Sequence, residues 1–320
     1  MIHSVCHTTT FRYDPAVRES VMEVRMQPRT ESNQRCLDFR LDVSPTASIM
    51  QHHDFSGNMV HHFDIAGAHT EVKVTAQSSV EVQPVPAPRP SAAGDWNDLD
   101  ALVAAGDYWE MLLPSQFARG CEPLRKLSAE IDCRKRDTPL PLLIELNEAI
   151  YRMFAYVPNS TKVDSPIEDT LETRQGVCQD FAHILIALLR PLKIPTRYVS
   201  GYMFHRAAHE KEYRSLEGAS HAWVEALVPG LGWTAFDPTN NLVGADRHIR
   251  VAVGRDYADV PPTRGVYKGD ARSELSVAVT VSPADAPLPE QPAPSVVIQT
   301  RPMLVRSRSR LDHEQQQQQQ

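Results

Sequence analysis

The sequence predicts an α+β protein in which an N-terminal antiparallel β-sandwich precedes a core made of helices followed by strands. Three observations predict this class: short β-rich segments fill residues 1–82, helical signals dominate residues 98–189, and strand signals return from residue 196. The 320 residues are enough for two domains of ordinary size, and 42% of them are hydrophobic, as in a globular protein with a substantial core.

The N-terminal β-sandwich is predicted to cover residues 1–82. Its clearest strand alternates Val72, Val74 and Ala76 with polar side chains, which predicts one buried face and one solvent-exposed face. Residues 83–95 then follow, and within them residues 84–90 carry a proline at every second position, which excludes both a helix and the interior of a sheet. This segment is predicted to be a linker, and residues 1–82 are expected to be removable without loss of solubility.

The core is predicted to cover residues 96–283 and to begin with helices. They are expected over residues 98–113, over residues 122–131, from the cap Thr138 to about Phe154, and from about Cys178 to before Pro191. Strands are expected over residues 196–203, 220–228, 232–238, 248–254 and 274–282. Residues 284–320, rich in Pro and Arg and ending in six Gln, are predicted to be a disordered tail.

Charge and composition argue against several classes of function. The net charge of −7 disfavours nucleic acid and anionic membranes as partners. The N-terminus does not resemble a signal peptide, and no apolar run approaches the roughly 18 residues of a membrane span, so a cytoplasmic protein is expected. The sequence has no Walker, GxGxxG or GxSxG motif, which leaves nucleotide binding and serine hydrolysis without support.

The cysteines predict neither a disulfide framework nor a structural zinc site. They are scattered, odd in number and never spaced as CxxC: Cys6, Cys36, Cys121, Cys133 and Cys178. No metal or other cofactor is expected. Cys178 differs from the rest because it begins a predicted helix, where the helix dipole and free backbone N–H groups favour a thiolate. The alternative is that Cys178 is only a small buried hydrophobic residue.

A predicted hairpin downstream carries the groups that a reactive thiol needs. His221 opens its first strand and Asp237 closes the second, so both lie at the same end of the sheet. A register centred on the turn at Gly230 would set His221 opposite Asn240, so a bulge, a longer loop or strand twist is expected to bring Asp237 within reach. A thiol at a helix N-terminus, a histidine and a carboxylate are the parts of a thiol acyl-transfer triad.

These segments resemble the transglutaminase-like superfamily, and within it the bacterial proteins that join an N-terminal β-domain to a transglutaminase-like cysteine-protease core. The motifs that carry the resemblance are GVCQDFAH around Cys178, RYVSGY at 197–202, HAWVE at 221–225, PGLGW at 229–233 and FDPTN at 236–240. The resemblance implies a papain-like arrangement, with the nucleophile helix packed on an antiparallel sheet. It implies Cys178 as nucleophile, His221 as general base and acid, and Asp237 as the carboxylate that orients the histidine.

The resemblance also implies a thiol enzyme that acts on amide bonds of a peptide or protein through a thioester. Peptidase or amidase activity is favoured over protein-glutamine transamidation, and a noncatalytic peptide-binding module of the same fold is the competing class. Tyr156 is the candidate for a second oxyanion donor, with a plain core residue as the alternative. A metal site is a further alternative for a histidine-rich hairpin that contains His52, His53, His61, His62 and His69.

Overall fold

The computed structural model describes residues 1–85, 87–204, 214, 219–244 and 247–284, and the backbone of residues 296–300. The strands are β1 (Ile2–Val24), β2 (Gln34–Ser44), β3 (Met50–His53), β4 (Met59–Val82), β5 (Ala155–Tyr156), β6 (Gln175–Gly176), β7 (Thr196–Met203), β8 (His221–Val228), β9 (Gly232–Asp237), β10 (Leu242–Val243), β11 (His248–Gly254), β12 (Thr263–Lys268), β13 (Arg272–Pro283) and β14 (Val296–Thr300). The helices are α1 (Trp96–Ala105), α2 (Glu122–Glu130), α3 (Pro139–Met153), α4 (Ile167–Thr173) and α5 (Cys178–Leu189). This order of elements is the α+β order predicted from the sequence.

The N-terminal region is built on two long antiparallel strands rather than on the many short ones that the sequence suggested. β1 pairs with β4 along most of its length, and their register shifts around Val17. The shift divides the sheet into two halves, in which β2 and β3 pair with different parts of β4. Apolar side chains of both halves pack in one cluster, which includes Tyr13, Met22, Phe63 and Val74.

The last strands within the predicted core, residues 96–283, pair with the N-terminal sheet rather than with the core sheet. β12 pairs with residues 19–24 of β1, and β13 pairs with residues 3–14, so both strands belong to the N-terminal sheet. The reason is that β4 occupies one edge of β1, and the backbone groups of the other edge need partners too. The N-terminal sheet is therefore completed by the end of the folded chain.

Within the predicted tail, residues 284–320, five residues have the backbone of a strand. Val296–Thr300 forms β14, which pairs antiparallel with residues 273–277 of β13. Its sequence, VVIQT, is rich in β-branched residues and follows the Pro-rich stretch, which dominated the composition on which the prediction rested. The other predicted tail residues after Ala284 lie outside the part of the chain that is described.

The core is a five-stranded antiparallel sheet covered by helix α5. The strand order is β10-β9-β8-β7-β11, so β11 lies at one end of the sheet beside β7. Apolar side chains of α5, such as Phe181 and Leu185, pack against Tyr198, Val224 and Phe236 of the sheet. The other α-helices contribute to the same cluster, and residues 179–189 of α5 are buried throughout. Helix α5 is therefore central in the core and almost wholly buried.

The helix boundaries differ from the predictions at two places. The helix expected over residues 98–113 ends at Ala105, because Gly106 interrupts it, and a short 3-10 turn follows at Trp109–Leu112. Helix α4 was not predicted from the sequence, since seven residues are too few for a clear helical period. None of the described helices is long and apolar enough to cross a lipid bilayer.

The two sheets are joined by an apolar cluster of their own. Val5 and Val80 of the N-terminal sheet pack with Tyr202, Ile249 and Val251 of the core sheet. All five side chains are at most 3% exposed, so the contact excludes water. The N-terminal region and the core consequently form a continuous structure rather than two bodies separated by a loose linker.

Candidate active site

Cys178 is the first residue of α5, and Gly176, two residues before it, has no room for a side chain. A Cβ atom at Gly176 would lie 2.9 Å from the Cγ2 atom of Thr170 and 3.1 Å from the Cε1 atom of Phe181. Glycine therefore allows the chain to pass close to α4 and α5 before it enters the helix. The Cys178 thiol is free and partly exposed, at the helix end where backbone N–H groups have no intrahelical partner.

Asp180 stabilises this turn from within the first helical turn. Its Oδ2 atom accepts a hydrogen bond from the backbone N–H of Val177 at 2.8 Å and from the hydroxyl of Thr161 at 2.6 Å. Burial raises the pKa of Asp180, although both hydrogen bonds favour the ionised form. The carboxylate thus binds the helix start and the loop in front of it, which determines where the thiol of Cys178 is placed.

His221 and Asp237 meet without a bulge in the pairing of β8 with β9, which was one of the three ways expected to bring them together. β8 and β9 pair with Val224 opposite Phe236, a register one residue away from the one predicted about Gly230. Asp237 is then a diagonal neighbour of His221, a separation of about 7–8 Å between Cα atoms that long side chains bridge. The Nε2 atom of His221 lies 2.8 Å from the Oδ2 atom of Asp237.

The carboxylate of Asp237 is surrounded by hydrogen-bond donors. Besides His221, its Oδ2 atom accepts from the Nε2 atom of His248 at 3.1 Å and from the Nδ2 atom of Asn240 at 2.9 Å. Its Oδ1 atom accepts from the backbone N–H groups of Thr239 at 2.9 Å and Asn240 at 3.2 Å. Burial opposes ionisation, but His221 and the hydrogen bonds outweigh it and hold the pKa of Asp237 far below its usual range.

The pKa of His221 moves in the opposite direction. Burial alone would lower it, but the ionised Asp237 and the adjacent Cys178 thiol raise it well above the usual value for histidine. Because Nε2 is bonded to Asp237, Nδ1 is the ring nitrogen left for the thiol, and it has no hydrogen bond of standard geometry to a described residue. The site therefore places an imidazolium beside a thiol at a helix N-terminus.

Sequence reasoning did not identify His248 and Asn240 as site residues. Asn240 lies in the FDPTN motif with Asp237, so the motif contained a usable signal. His248 begins β11, which pairs with β7 across the sheet rather than with its neighbour in sequence, β10. That crossover cannot be deduced from strand periodicity alone, because periodicity does not order the strands.

His221, Asp237 and His248 also have the spacing of a metal site, since their ligand atoms lie within 4.8 Å of one another. The geometry fits a hydrogen-bonded network better, because both imidazole Nε2 atoms lie at hydrogen-bond distance from the same carboxylate oxygen. All three residues are at most 4% exposed. The expectation that the protein uses no metal stays a prediction.

The histidines of the alternative metal site on the N-terminal hairpin do not converge: His52, His53, His61, His62 and His69. His61 is buried and packs on the ring of Phe39, and His69 hydrogen-bonds Ser20 at 2.8 Å. Of the side chains that the structure describes, the metal-like group around Asp237 contains none of these histidines. The hairpin therefore gives no structural support to the metal-binding alternative.

Tyr156 lies beside the turn that precedes Cys178. It pairs with Gly176 in a short parallel ladder, and the N–H of Val157 donates to the carbonyl oxygen of Gly176 at 3.0 Å. The side chain of Tyr156 is partly buried and packs against the main core cluster. This position is compatible with both readings of the sequence, an oxyanion donor and a core residue, and the donor role stays a prediction.

Comparison with known proteins places both regions of the chain. Residues 3–81 match the bacterial transglutaminase-like N-terminal region, and residues 125–238 match the transglutaminase-like superfamily. An uncharacterized protein of Mycobacterium leprae is 33% identical over 87% of this chain and 97% of its own length. A protein-glutamine gamma-glutamyltransferase of Pseudomonas aeruginosa is 35% identical over 36% of this chain, but over only 19% of its own length.

A solved structure agrees with the fold of the whole chain. The crystal structure of a proposed cysteine protease from Cytophaga hutchinsonii superposes with a TM-score of 0.69 and covers 91% of this chain and 93% of that one. At 23% identity this similarity shows the fold. The matched regions, the long alignment and the shared fold together establish that the chain belongs to the transglutaminase-like superfamily and carries its bacterial N-terminal region.

Proposed function

We propose that this protein is a thiol enzyme that acts on amide bonds of a peptide or protein substrate. Cys178 is the nucleophile, His221 the general base and acid, and Asp237 the carboxylate that orients the histidine. The observation that carries the proposal is the 2.8 Å hydrogen bond between His221 and Asp237, which holds a protonated imidazole beside the thiol. A thiol activated in this way is the requirement for nucleophilic acyl transfer.

The reaction follows from the positions of these groups. The Cys178 thiolate attacks the carbonyl carbon of the amide, and the carbonyl π electrons move onto oxygen, where the backbone N–H of Cys178 stabilises the charge. Collapse of this intermediate breaks the C–N bond, and His221 transfers its proton to the departing amine. A thioester to Cys178 remains, and neutral His221 then takes a proton from the attacking water or amine while the thiolate leaves.

Hydrolysis is the favoured outcome, because it needs only water as acyl acceptor. Transamidation needs a site that admits an amine and excludes water. The similarity to the Pseudomonas aeruginosa gamma-glutamyltransferase supports transamidation as the second candidate. A noncatalytic module is less well supported, since binding a peptide does not require a thiol, an imidazolium and a buried carboxylate in one place.

The test is acyl transfer from a casein peptide mixture in the presence of a fluorescent primary amine. We expect a thioester adduct on Cys178 in acid-quenched samples, and products that require Cys178, as judged against Cys178→Ala. New carboxyl groups labelled from H₂¹⁸O report hydrolysis, and fluorescent peptides report transamidation. His221→Ala should lower turnover at least about a hundredfold, and Asp237→Asn should also lower it, but less than His221→Ala. Folded protein with neither adduct nor turnover would favour the noncatalytic module.

A further inference from the structure

His248 is placed to hold the carboxylate of the triad in position. Its side chain is fully buried, and its Nε2 atom lies 3.1 Å from the same Asp237 oxygen that bonds His221. Burial lowers the pKa of His248, and the adjacent His221 and Arg250 lower it further, against the effect of Asp237. A neutral imidazole with its proton on Nε2 can donate to Asp237 without adding charge.

The ring of His248 is itself enclosed by aromatic neighbours. It packs against Trp223 with 4.6 Å between ring centroids and against His221 with 5.8 Å. Trp223 is fully buried and lies two residues from His221 on the same face of β8. The position of His248 therefore depends on how β11 lies against β7 and β8.

Close approach of β11 to the sheet depends on Gly201, which pairs with both His221 and Arg250. A Cβ atom at Gly201 would lie 2.1 Å from the carbonyl oxygen of Ile249 and 2.7 Å from the ring of Trp223. β11 shows a register shift between Arg250 and Ala252. As the end strand of the sheet, it also needs partners for its outer backbone groups.

The N-terminal region supplies these partners at two places on β11: the amide of Asn58 bonds both backbone groups of Val253 at 2.8 Å, and the amide of Gln34 bonds both backbone groups of Arg250. The Oε1 atom of Gln34 accepts a hydrogen bond from the backbone N–H of Arg250 at 2.7 Å, and its Nε2 atom donates one to the carbonyl oxygen of Arg250 at 2.8 Å. The backbone N–H of Arg29 donates to that oxygen as well, at 3.0 Å. Gln34 is 3% exposed, so its amide takes the place of a neighbouring strand at a buried position two residues from His248.

The side chain of Arg250 adds a second connection. Its Nε atom pairs with Glu225 of β8, and its Nη1 atom donates to the side chain of Asn33 at 2.9 Å. Glu225 also accepts from Arg197 of β7. Residues 29–34 of the N-terminal region thus bind β11, which is linked through Glu225 to the strand that carries His221.

We infer that the N-terminal region is a positioning part of the active site: Gln34 fixes β11 at Arg250, and β11 in turn presents His248 to Asp237. Neither residue touches the substrate or transfers a proton. The inference rests on the proposed function, because it assumes that Asp237 and His221 serve Cys178. It assigns to the N-terminal sheet a role in the geometry of the site rather than in substrate binding.

The test is the rate at which iodoacetamide alkylates Cys178 in the full chain, measured from pH 5 to pH 9. His248→Leu and Gln34→Leu should lower the rate at pH 6 about tenfold, equivalent to a one-unit shift of the profile towards higher pH. His248→Gln, which keeps an N–H donor, should restore most of the rate. The matched control is Ser20→Ala, a buried residue whose bond to His69 stays within the N-terminal region, and it should leave the profile unchanged.

Nitrogen NMR of the histidine rings gives a second measurement that a merely structural role would not affect. In Gln34→Leu and His248→Leu, the ring of His221 should lose its proton at a lower pH than in wild type. The inference is wrong if Gln34→Leu and His248→Leu melt like wild type and leave both the pH dependence of Cys178 alkylation and the nitrogen signals of the His221 ring unchanged. If His248→Leu does not fold, Gln34→Leu and His248→Gln decide the question. A wild-type rate independent of His221 would instead overturn the proposed function.

Discussion

Four of the five cysteines have surroundings that keep them as thiols. Burial is the main reason that the pKa values of Cys6, Cys36, Cys121 and Cys133 are raised. Cys178 is the exception in position, because it lies at a helix N-terminus beside the imidazolium of His221. Positive charge next to a sulfur atom stabilises the thiolate, which is the reactive form.

Iodoacetamide at pH 6 should therefore label Cys178 before any other cysteine in the native protein. An ordinary thiol is less than roughly 1% ionised at this pH. Because its pKa is raised, His221 is still protonated at pH 6, so His221→Ala should slow the labelling sharply. Peptide mapping identifies the labelled residue, and His53→Ala, which removes an exposed imidazole, is the control. Preferential labelling of another cysteine would contradict the pairing of a Cys178 thiolate with the His221 imidazolium.

The residues that sequence reasoning selected and those it missed differ in how they are connected. Cys178, His221 and Asp237 lie in motifs of recognisable pattern, and the structure brings the histidine, the carboxylate and the thiol together. His248 joins them only because β11 crosses to the far side of β7. Its contribution depends on strand order and on a side chain from residue 34, and neither is visible in local sequence.

Secondary-structure elements, like residues, were predicted where the signal is local and missed where it depends on distant pairing. Helices α2, α3 and α5 lie within about two residues of their predicted ends, because caps, prolines and apolar periodicity are local signals. The continuity of β1 was missed, since short β-rich segments were expected over residues 1–82 and β1 is one long strand across a shift in register. The partners of β12 and β13 were missed because pairing over more than two hundred residues leaves no local signal.

Within the core sheet, one buried carboxylate connects three strands. Glu225 of β8 lies between Arg197 of β7 and Arg250 of β11, and it is not exposed to solvent. Burial opposes its ionisation, but the two arginines outweigh this and lower the pKa of Glu225. Removal of one member of a buried ion pair leaves the other charge uncompensated.

Glu225→Gln should accordingly lower the free energy of unfolding by about 3–5 kcal/mol at pH 7, as measured by denaturant titration. Glu71→Gln, which breaks an exposed pair with Arg12 on the N-terminal sheet, should cost less than about 1 kcal/mol. The folded-state pKa of Glu225 lies below the unfolded value of about 4.3, so its contribution is present above that pH and is lost in more acidic solution. The difference in the free energy of unfolding between wild type and Glu225→Gln should therefore shrink as the pH falls. If that difference stayed constant from pH 7 to pH 3, this account would be contradicted.

At the scale of the whole molecule, the N-terminal region and the core depend on each other. Val5 and Val80 share an apolar cluster with the core sheet, and β12 and β13 have β1 as their partner. The Pro-rich segment also packs on the core, since the N–H of Gly94 donates to the carbonyl oxygen of Pro229 at 2.9 Å. These contacts argue against the separability that the linker composition suggested.

Removal of residues 1–82 should therefore yield aggregated protein rather than a soluble core. The deletion takes away the partner of two strands and exposes their edges together with an apolar cluster. Size-exclusion chromatography and light scattering measure the outcome, and coexpression of residues 1–82 as a separate chain should restore soluble material. A soluble monomer that melts like wild type would show that the two parts are independent after all.

The pairing of β1 with β12 and β13 also sets a constraint on biosynthesis. The ribosome delivers β1, β2 and β4 early, but the free edge of β1 has no partner until residues 263–283 have emerged. At usual rates of translation, the interval between residue 82 and residue 263 is roughly 10 to 40 s. For that time the nascent chain presents an open strand edge next to an unfinished core, which is a site where chaperones would be expected to act.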